Sequence, residues 1–461
     1  MSAFDDTPLF AAAAHLDRVA VVTASREWSW REVHAASLVL AGRLRGTGTV
    51  CNLCGTRLGF LVTWLAALRS GCVQVLPPSG GSSELSAMLA ASADPLIVVD
   101  DEKLLQPQWT GHARCMTHAP QRPASPAADA ALTWSCDLEA PWVRLFTSGS
   151  TGVPQAQVKS IGLLARGAQV LAARIDEEVQ GGAGALQAII CSVLPQHMFG
   201  LETSVMLPLV AGIAVVDSRP LLPADVCAAF DERTGNTAWI ATPLHLRALA
   251  QAGESLPNCA VVIASTMPLA REVAQQAEGL VQAPVLEIYG STETGVVAMR
   301  RTARDTNWLP VQGVRVEPTD DGASVWGTHF TSPQVLADQV APDARGGFEL
   351  LGRQADLLKI GGRRASLAGL NLLLQDLPGL VDGVFYLPAT GSLTERLVLI
   401  HAGPPLDRAA TEAWLAERMD AAFLPRTIIR VDRLPRTEGG KLPRAALDAL
   451  YANRPRKGQG G

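Results

Sequence analysis

Between Leu145 and Ser160 the chain reads LFTSGSTGVPQAQVKS, a loop dense in hydroxyls and glycines directly after an apolar run. Two roles suit such a stretch. Ser, Thr and Gly gather in solvated connectors between strands. The same residues also build a phosphate cradle, in which glycines let the backbone approach an anion while hydroxyls and free N–H groups donate to it. The loop is not a Walker motif, because the Gly-Lys-Ser/Thr ending on a helix is missing. Three further polar clusters end apolar runs: LPQHMFG from Leu194, IASTMPL from Ile263 and IYGSTETG from Ile288. They carry a histidine, several hydroxyls and a carboxylate that can meet the opening loop.

Elements to position these groups are legible in the pattern. WREVHAASLVLAGRL is amphipathic at helical spacing, FLVTWLAALRSG ends on Gly, and CVQVLPP and PLIVVDD are short β-rich runs. ALQAIICSVLP, GIAVVDS, NTAWIATP, CAVVIAS and APVLEIYGSTE are apolar runs that stop at polar or Gly-rich residues. Ligands in open α/β sheets gather at such strand ends. APQRPASPAADA reads as a surface linker, and past residue 353 the texture changes to GRQADLLKIGGRRAS and a short α+β segment. The expected fold class is α/β, with a large N-terminal domain of layered α/β subdomains over residues 1–353 and a small mobile α+β C-terminal domain over 354–461.

At 461 residues, 48% hydrophobic and 18% charged, the chain is globular in composition and long enough for two or three domains. Its net charge of -5 argues against general nucleic-acid binding. MSAFDDTPLF places two aspartates where a secretory signal wants positive charge, and no uninterrupted apolar run is long enough for a membrane span, so a cytoplasmic protein is expected. Of eight cysteines only Cys51 and Cys54 have CxxC spacing, which favours buried reduced thiols over a zinc site. From residue 354 onward there are 15 Lys+Arg against 11 Asp+Glu, a small basic domain on an acidic body.

Taken in order, FTSGSTGVP, LPQHMFGLE, YGSTE, GRQADLLKIGGR and LPRTEGGKLPR resemble the core motifs of the adenylate-forming superfamily of acyl-CoA synthetases, peptide-synthetase adenylation domains and luciferases, over essentially the whole chain. The resemblance implies a two-step reaction: a carboxylate attacks the α-phosphate of MgATP to give acyl-AMP and pyrophosphate, then a thiol takes the acyl group. It implies that Thr147, Ser148, Ser150 and Thr151 hold the leaving β- and γ-phosphates, with Gly149 and Gly152 permitting the tight loop. Tyr289 would pack on the adenine, Thr292 bind the α-phosphate and Glu293 ligate Mg2+, a hard cation that wants oxygen ligands. Asp338 in LADQV takes the place of the ribose-binding aspartate, assisted by Arg353, although its neighbours depart from the usual Thr-Gly-Asp. Lys441 would be the lysine that bridges carboxylate and α-phosphate oxygens, a compact charge where negative charge develops. Asp356 would be the hinge about which the small domain rotates, bringing the hairpin around Lys359 into place for the thiol step. His197 and Phe199 fall at the gate between acyl pocket and thiol tunnel. Thr266, Met267, Gly290 and Gly295 join Phe199 as candidate pocket residues.

Some positions depart from the family pattern. The loop continues Pro154-Gln155-Ala156 instead of Pro-Lys-Gly, so a neutral amide replaces a cation that contacts nucleotide phosphates. Lys159 is no simple substitute, because four strand residues displace it by roughly 13 Å from Gln155. Thr266 stands where the family commonly has Gly, and Gly369 and Asn371 stand where it usually has glutamates. These changes leave open a degenerate paralogue that binds nucleotide or acid without turnover.

The compact length, with LPQHMFGLE, resembles stand-alone AMP-ligases of aryl polyene and xanthomonadin-like pigment pathways, which charge aromatic acids onto an acyl carrier protein. WIATP, IASTM and GVVAM offer no charge to the acyl pocket, so the acid is expected to be flat or apolar beyond its carboxylate; a hydroxybenzoate fits, and so does a medium-chain fatty acid. The basic small domain suits an acidic carrier protein, though the phosphates of coenzyme A would be served equally. No carrier domain follows Leu450, so a carrier is expected in trans.

Overall fold

Each of the five apolar runs from residue 185 to 291 forms a strand: Ala188–Cys191, Ala214–Val216, Thr237–Ala241, Cys259–Ala264 and Val285–Ser291. They lie side by side and parallel, and burial of nearly every residue up to Ile288 explains why they read as continuous apolar runs. Antiparallel Gly295–Arg301 and Leu309–Pro310 extend one edge, while Val19–Val22 and Glu27–Ser29 extend the other, giving nine strands. A second sheet has six strands in the order Arg114–Thr117, Pro95–Val99, Thr49–Asn52, Val73–Leu76, Val143–Ser148 and Pro154–Lys159, all parallel except the last. This computed structural model describes residues 16–77, 82–90, 92–109, 111–122, 137–148, 154–179, 185–233, 235–353, 357–360, 363–374, 377–388, 396–436 and 442–454.

Capping chemistry starts the helices where the sequence changes period. Ser29 and Glu32 form a reciprocal capping box at the start of Trp30–Leu44, and Thr56 Oγ1 accepts the Gly59 N–H at 3.0 Å to open Arg57–Arg69. The second helix is buried on every side except at its last residue, as a helix apolar all round must be. Its residues share one core with Val21 of the nine-stranded sheet and with Val50, Leu76 and Leu145 of the six-stranded sheet. Cys51 and Cys54 belong to the buried interior, their thiols pushed far above the ordinary range by burial. Among the described residues no group of three or more His, Cys, Asp and Glu is placed to hold a metal ion, and no helix is long and apolar enough to cross a membrane.

The chain divides into two compact units: residues 1–265, 271–315 and 326–334 form one, residues 266–270, 316–325 and 335–461 the other. The second unit holds the hairpins Asp338–Pro342 with Phe348–Arg353 and Leu357–Ile360 with Arg363–Ser366, and a three-stranded sheet of Asp382–Tyr386, Val398–Ala402 and Thr427–Val431. Helices Leu367–Leu373, Arg408–Ala416 and Arg444–Ala452 complete an α+β arrangement. Leu358, Ile360, Leu370, Phe385, Leu399 and Leu415 share its core. Asn371, unusual for the family, has a local task here: its Oδ1 accepts the Phe385 N–H at 2.6 Å.

Burial also sets a pH dependence in the first unit. His34, His245 and His329 are all held near a pKa of about 4 by desolvation, with Arg69, Arg219 and the Lys159–Arg166 pair adding to it. A depressed imidazole stabilises the fold above pH 6.5 and loses that contribution as pH falls towards 4. Glu202, raised to about 7 by burial, works in the opposite sense over the same interval. Unfolding near pH 5.5 should therefore take up about two protons net. The expected result is a melting temperature that falls on acidification from pH 6.5 to 4.5, measured by calorimetry; a flat profile would contradict it.

Candidate active site

The opening loop spans an antiparallel hairpin at the edge of the six-stranded sheet, with Thr147 opposite Gln155 and Ser148 opposite Pro154. Pro154 suits an edge strand, where no ladder N–H is needed. Gly149, Ser150, Thr151 and Gly152 lie outside the described residues. Gln155 is exposed, while Lys159 at the end of the same strand is only 6% exposed.

YGSTE forms the end of Val285–Ser291 and the tight turn into Gly295–Arg301, at the carboxyl edge of the nine-stranded sheet. Two side-chain bonds shape the turn. Thr294 Oγ1 accepts the Ser291 N–H at 3.0 Å, and Ser291 Oγ accepts the Thr294 N–H at 3.3 Å. Gly295 leaves the turn at φ +70°, a conformation that favours glycine. Tyr289 sets its ring 5.5 Å from Trp308, whose other contact is the Arg300 guanidinium at 4.4 Å. Trp308 was not singled out in the sequence, because an isolated Trp in a loop has no motif to mark it. Thr292 and Glu293 are half-buried on the turn. A nucleotide with its magnesium fits this donor set chemically: a flat ring, a hydroxyl and a hard carboxylate oxygen converge on one short turn.

LPQHMFG follows Ala188–Cys191 at the same carboxyl edge. His197 is the N-cap of Met198–Leu201, with its side chain making no capping bond, and Phe199 is buried. The helix then widens into a π-helical stretch, Glu202–Met206, before returning to α over Leu207–Ala211. Pro208 lacks the N–H that would close on Ser204. Thr203 Oγ1 donates to the Phe199 carbonyl at 2.6 Å and Ser204 Oγ to the Gly200 carbonyl at 2.7 Å, bonds back to the preceding turn of the kind that bend helices. Such stretches are frequent at functional sites.

Its first residue, Glu202, is 4% exposed and accepts the Val296 N–H at 3.3 Å. A Cβ on Gly295 would run into the same carboxylate, so the candidate pocket residue and the buried acid are immediate neighbours. Lys159 Nζ donates to the main-chain carbonyl of Glu293, and His329 Nε2 lies 2.7 Å from the Val296 carbonyl. The strand after the opening loop, the helical segment after His197 and the YGSTE turn thus converge on one buried polar cluster. Sequence reading did not single out Glu202 or His329, and it took up Lys159 only to set it aside as a substitute for the loop cation. The available signal was a lone acid inside the apolar run FGLETSVML, where a carboxylate is almost never buried unless partnered.

Of the remaining candidates, Asp338 pairs in backbone register with Arg353 across a hairpin. Lys359 lies at the backbone level in Leu357–Ile360, while Asp356 and Lys441 lie outside the described residues. Met267 is half-buried in the turn after Cys259–Ala264, beside Thr266. Thr266 holds φ +86°, a strained value for a β-branched side chain. Glycine suits such a backbone better than threonine does. Thr266→Gly is therefore expected to be more stable than Thr266→Ala by about 1 kcal/mol, read as calorimetric midpoints; the reverse order would show the strain to be absent.

The protein resembles solved and curated relatives along most of its length. It is 25% identical to enterobactin synthase component F of Shigella flexneri over 94% of this chain and 38% of that protein, so it spans less than half the length of that relative. It is 25% identical to p-hydroxybenzoic acid–AMP ligase FadD22 of Mycobacterium tuberculosis over 85% of this chain and 60% of that one. The o-succinylbenzoate CoA synthetase of Bacillus subtilis with its acyl-adenylate superposes with a TM-score of 0.79 at 16% identity over 96% of both chains, and with ATP and magnesium it does so with a TM-score of 0.77 at 17% identity over 93% of this chain and 96% of that one. The family described as AMP-binding enzyme matches residues 10–323, more than half of the sequence, and the chain belongs to that family within the adenylate-forming superfamily.

Proposed function

We propose that the protein activates a carboxylic acid with MgATP and passes the acyl group to a thiol. In the first step a carboxylate oxygen bonds to the α-phosphorus as the bond to pyrophosphate breaks. In the second a thiol sulfur bonds to the acyl carbon, AMP leaves, and the thiol proton is released. The observation that carries the proposal is the turn at Tyr289–Gly295, where ring, hydroxyl and carboxylate stand together at the carboxyl edge of a parallel sheet. Tyr289 holds the base, Thr292 the α-phosphate, and Thr147 and Ser148 begin the loop around the leaving phosphates. Glu293 holds magnesium, which neutralises phosphate charge when bound. Asp338 and Arg353 hold the ribose, and Lys441 stabilises the charge that grows between carboxylate and phosphate. Residues from Asp356 onward, with Lys359, form the moving part that exchanges the two steps.

The acid proposed is aromatic and hydroxybenzoate-like. FadD22 and the B. subtilis synthetase are named for aromatic acids. Glu202 beside Gly295 also supports an acid with a polar substituent over a plain aliphatic chain, because a carboxyl held near a pKa of 7 can donate or accept a hydrogen bond at neutral pH. The acceptor proposed is the phosphopantetheine thiol of an acyl carrier protein acting in trans, in the cytoplasm. ATP–pyrophosphate exchange across 4-hydroxybenzoate, benzoate and octanoate tests the acid, with 4-hydroxybenzoate expected fastest. Binding of ATP without exchange for any acid would instead mark a non-catalytic paralogue. Phosphopantetheinylated carrier protein and coenzyme A, supplied side by side, decide the acceptor, and preference for coenzyme A would overturn the carrier assignment.

A further inference from the structure

Lys159 is a buried ammonium whose recorded hydrogen bond runs to a main-chain carbonyl, that of Glu293. Burying such a charge is unfavourable unless something specific holds it there. Here the compensation is built from three elements. The π-helical Glu202 and, after it, Glu293 supply opposing carboxylates that act on Lys159 through the buried interior. Gly295 at φ +70° and Gly167 leave the room that carboxylate occupies, since a Cβ at either position would collide with Glu202 Oε1. The Val296 N–H bonds Glu202 at 3.3 Å, while the Val296 carbonyl faces His329 Nε2 at 2.7 Å. The strand leaving the turn is therefore gripped at Val296, and the Ser291–Thr294 bonds close the turn on itself. Between these two fixed points the recorded grip on the Glu293 backbone is Lys159.

We propose that Lys159 is a positioning residue for magnesium–ATP: anchored under the turn beside Glu202, its ammonium fixes the Glu293 carbonyl and so sets where the Glu293 carboxylate meets the metal. The proposal rests on the assignment of Glu293 as the magnesium ligand given above. It also separates this lysine from the loop cation missing at Gln155. Lys159 lies at the far end of the strand and acts on the nucleotide through the backbone of another motif, without touching the phosphates.

The test is calorimetric titration of ATP with and without magnesium, on the full chain, for wild type, Lys159→Met and Lys159→Met/Glu202→Gln. The double variant removes both buried charges together, so it keeps the question open to measurement if the single variant fails to fold. Lys159→Met is expected to weaken magnesium–ATP binding about tenfold, leave magnesium-free ATP binding unchanged, and raise the magnesium concentration needed for half-maximal exchange with little change in KM for the acid. A folded variant that binds magnesium–ATP as wild type does overturns the proposal and leaves the activity assignment standing. Equal weakening of both forms of ATP shows a general packing role and likewise overturns it. Wild type that binds no ATP in either titration overturns the activity assignment, and this proposal with it.

Discussion

Lys441→Ala is expected to lower acid-dependent pyrophosphate exchange by about 10²–10³-fold, while thioester formation from supplied acyl-adenylate survives almost untouched. Charge grows on the α-phosphate oxygens as the carboxylate attacks, and a fixed ammonium there lowers the barrier of that step alone. In the thiol step charge develops on the acyl oxygen and the departing AMP, but on the two-conformation account rotation of the small domain has by then carried Lys441 away. Exchange in one vessel and single-turnover thioester formation in another separate the steps. Equal loss in both would end the two-conformation account.

The second large effect falls on stability. Gly200→Ala would drive a Cβ into the Leu194 carbonyl oxygen, within 2.6 Å of its carbonyl carbon and 3.2 Å of the Pro195 nitrogen. All three are backbone atoms, and backbone cannot swing aside as a side-chain tip can. Either the helix backs away or the segment bearing His197 does. The cost is about 3 kcal/mol, read as a melting temperature lower by about 3–5 °C in a chain of this size. Gly42→Ala is the matched control: Gly42 lies within Trp30–Leu44, is exposed, and has nothing within 4 Å of a new Cβ. That variant should be slightly more stable, because alanine is the better helix former. Loss of stability in both variants would mean that the crowding at Gly200 is not the cause.

The parallel strands and the turn at Glu293 were legible in the sequence for one physical reason. Strands buried on both faces leave unbroken apolar runs, and each run stops where the polar ligand groups begin. The α+β texture beyond residue 353 was legible through the hairpin flanking GG and the return of short strands. The buried cluster was not. Lys159, Glu202 and His329 are far apart in sequence, and only the close approach of three elements around Gly295 makes them neighbours. Glu202 registers in the sequence only as an interruption of an apolar stretch. Likewise the left-handed backbone at Thr266 leaves no mark in the sequence, because a β-branched residue rarely adopts it.

The π-helical stretch at Glu202–Met206 has a further consequence, in phase. An α-helix turns about 100° per residue, and a π turn takes up one residue more than an α turn. Leu207–Ala211 is thus one residue out of step with Met198–Leu201. Removing a single residue from the stretch would restore even winding and swing the acid-bearing face about 100° relative to the downstream helix. A one-residue deletion within Glu202–Met206 is thus expected to change the direction of Glu202 relative to Leu207–Ala211, and with it the acid's place beside Gly295.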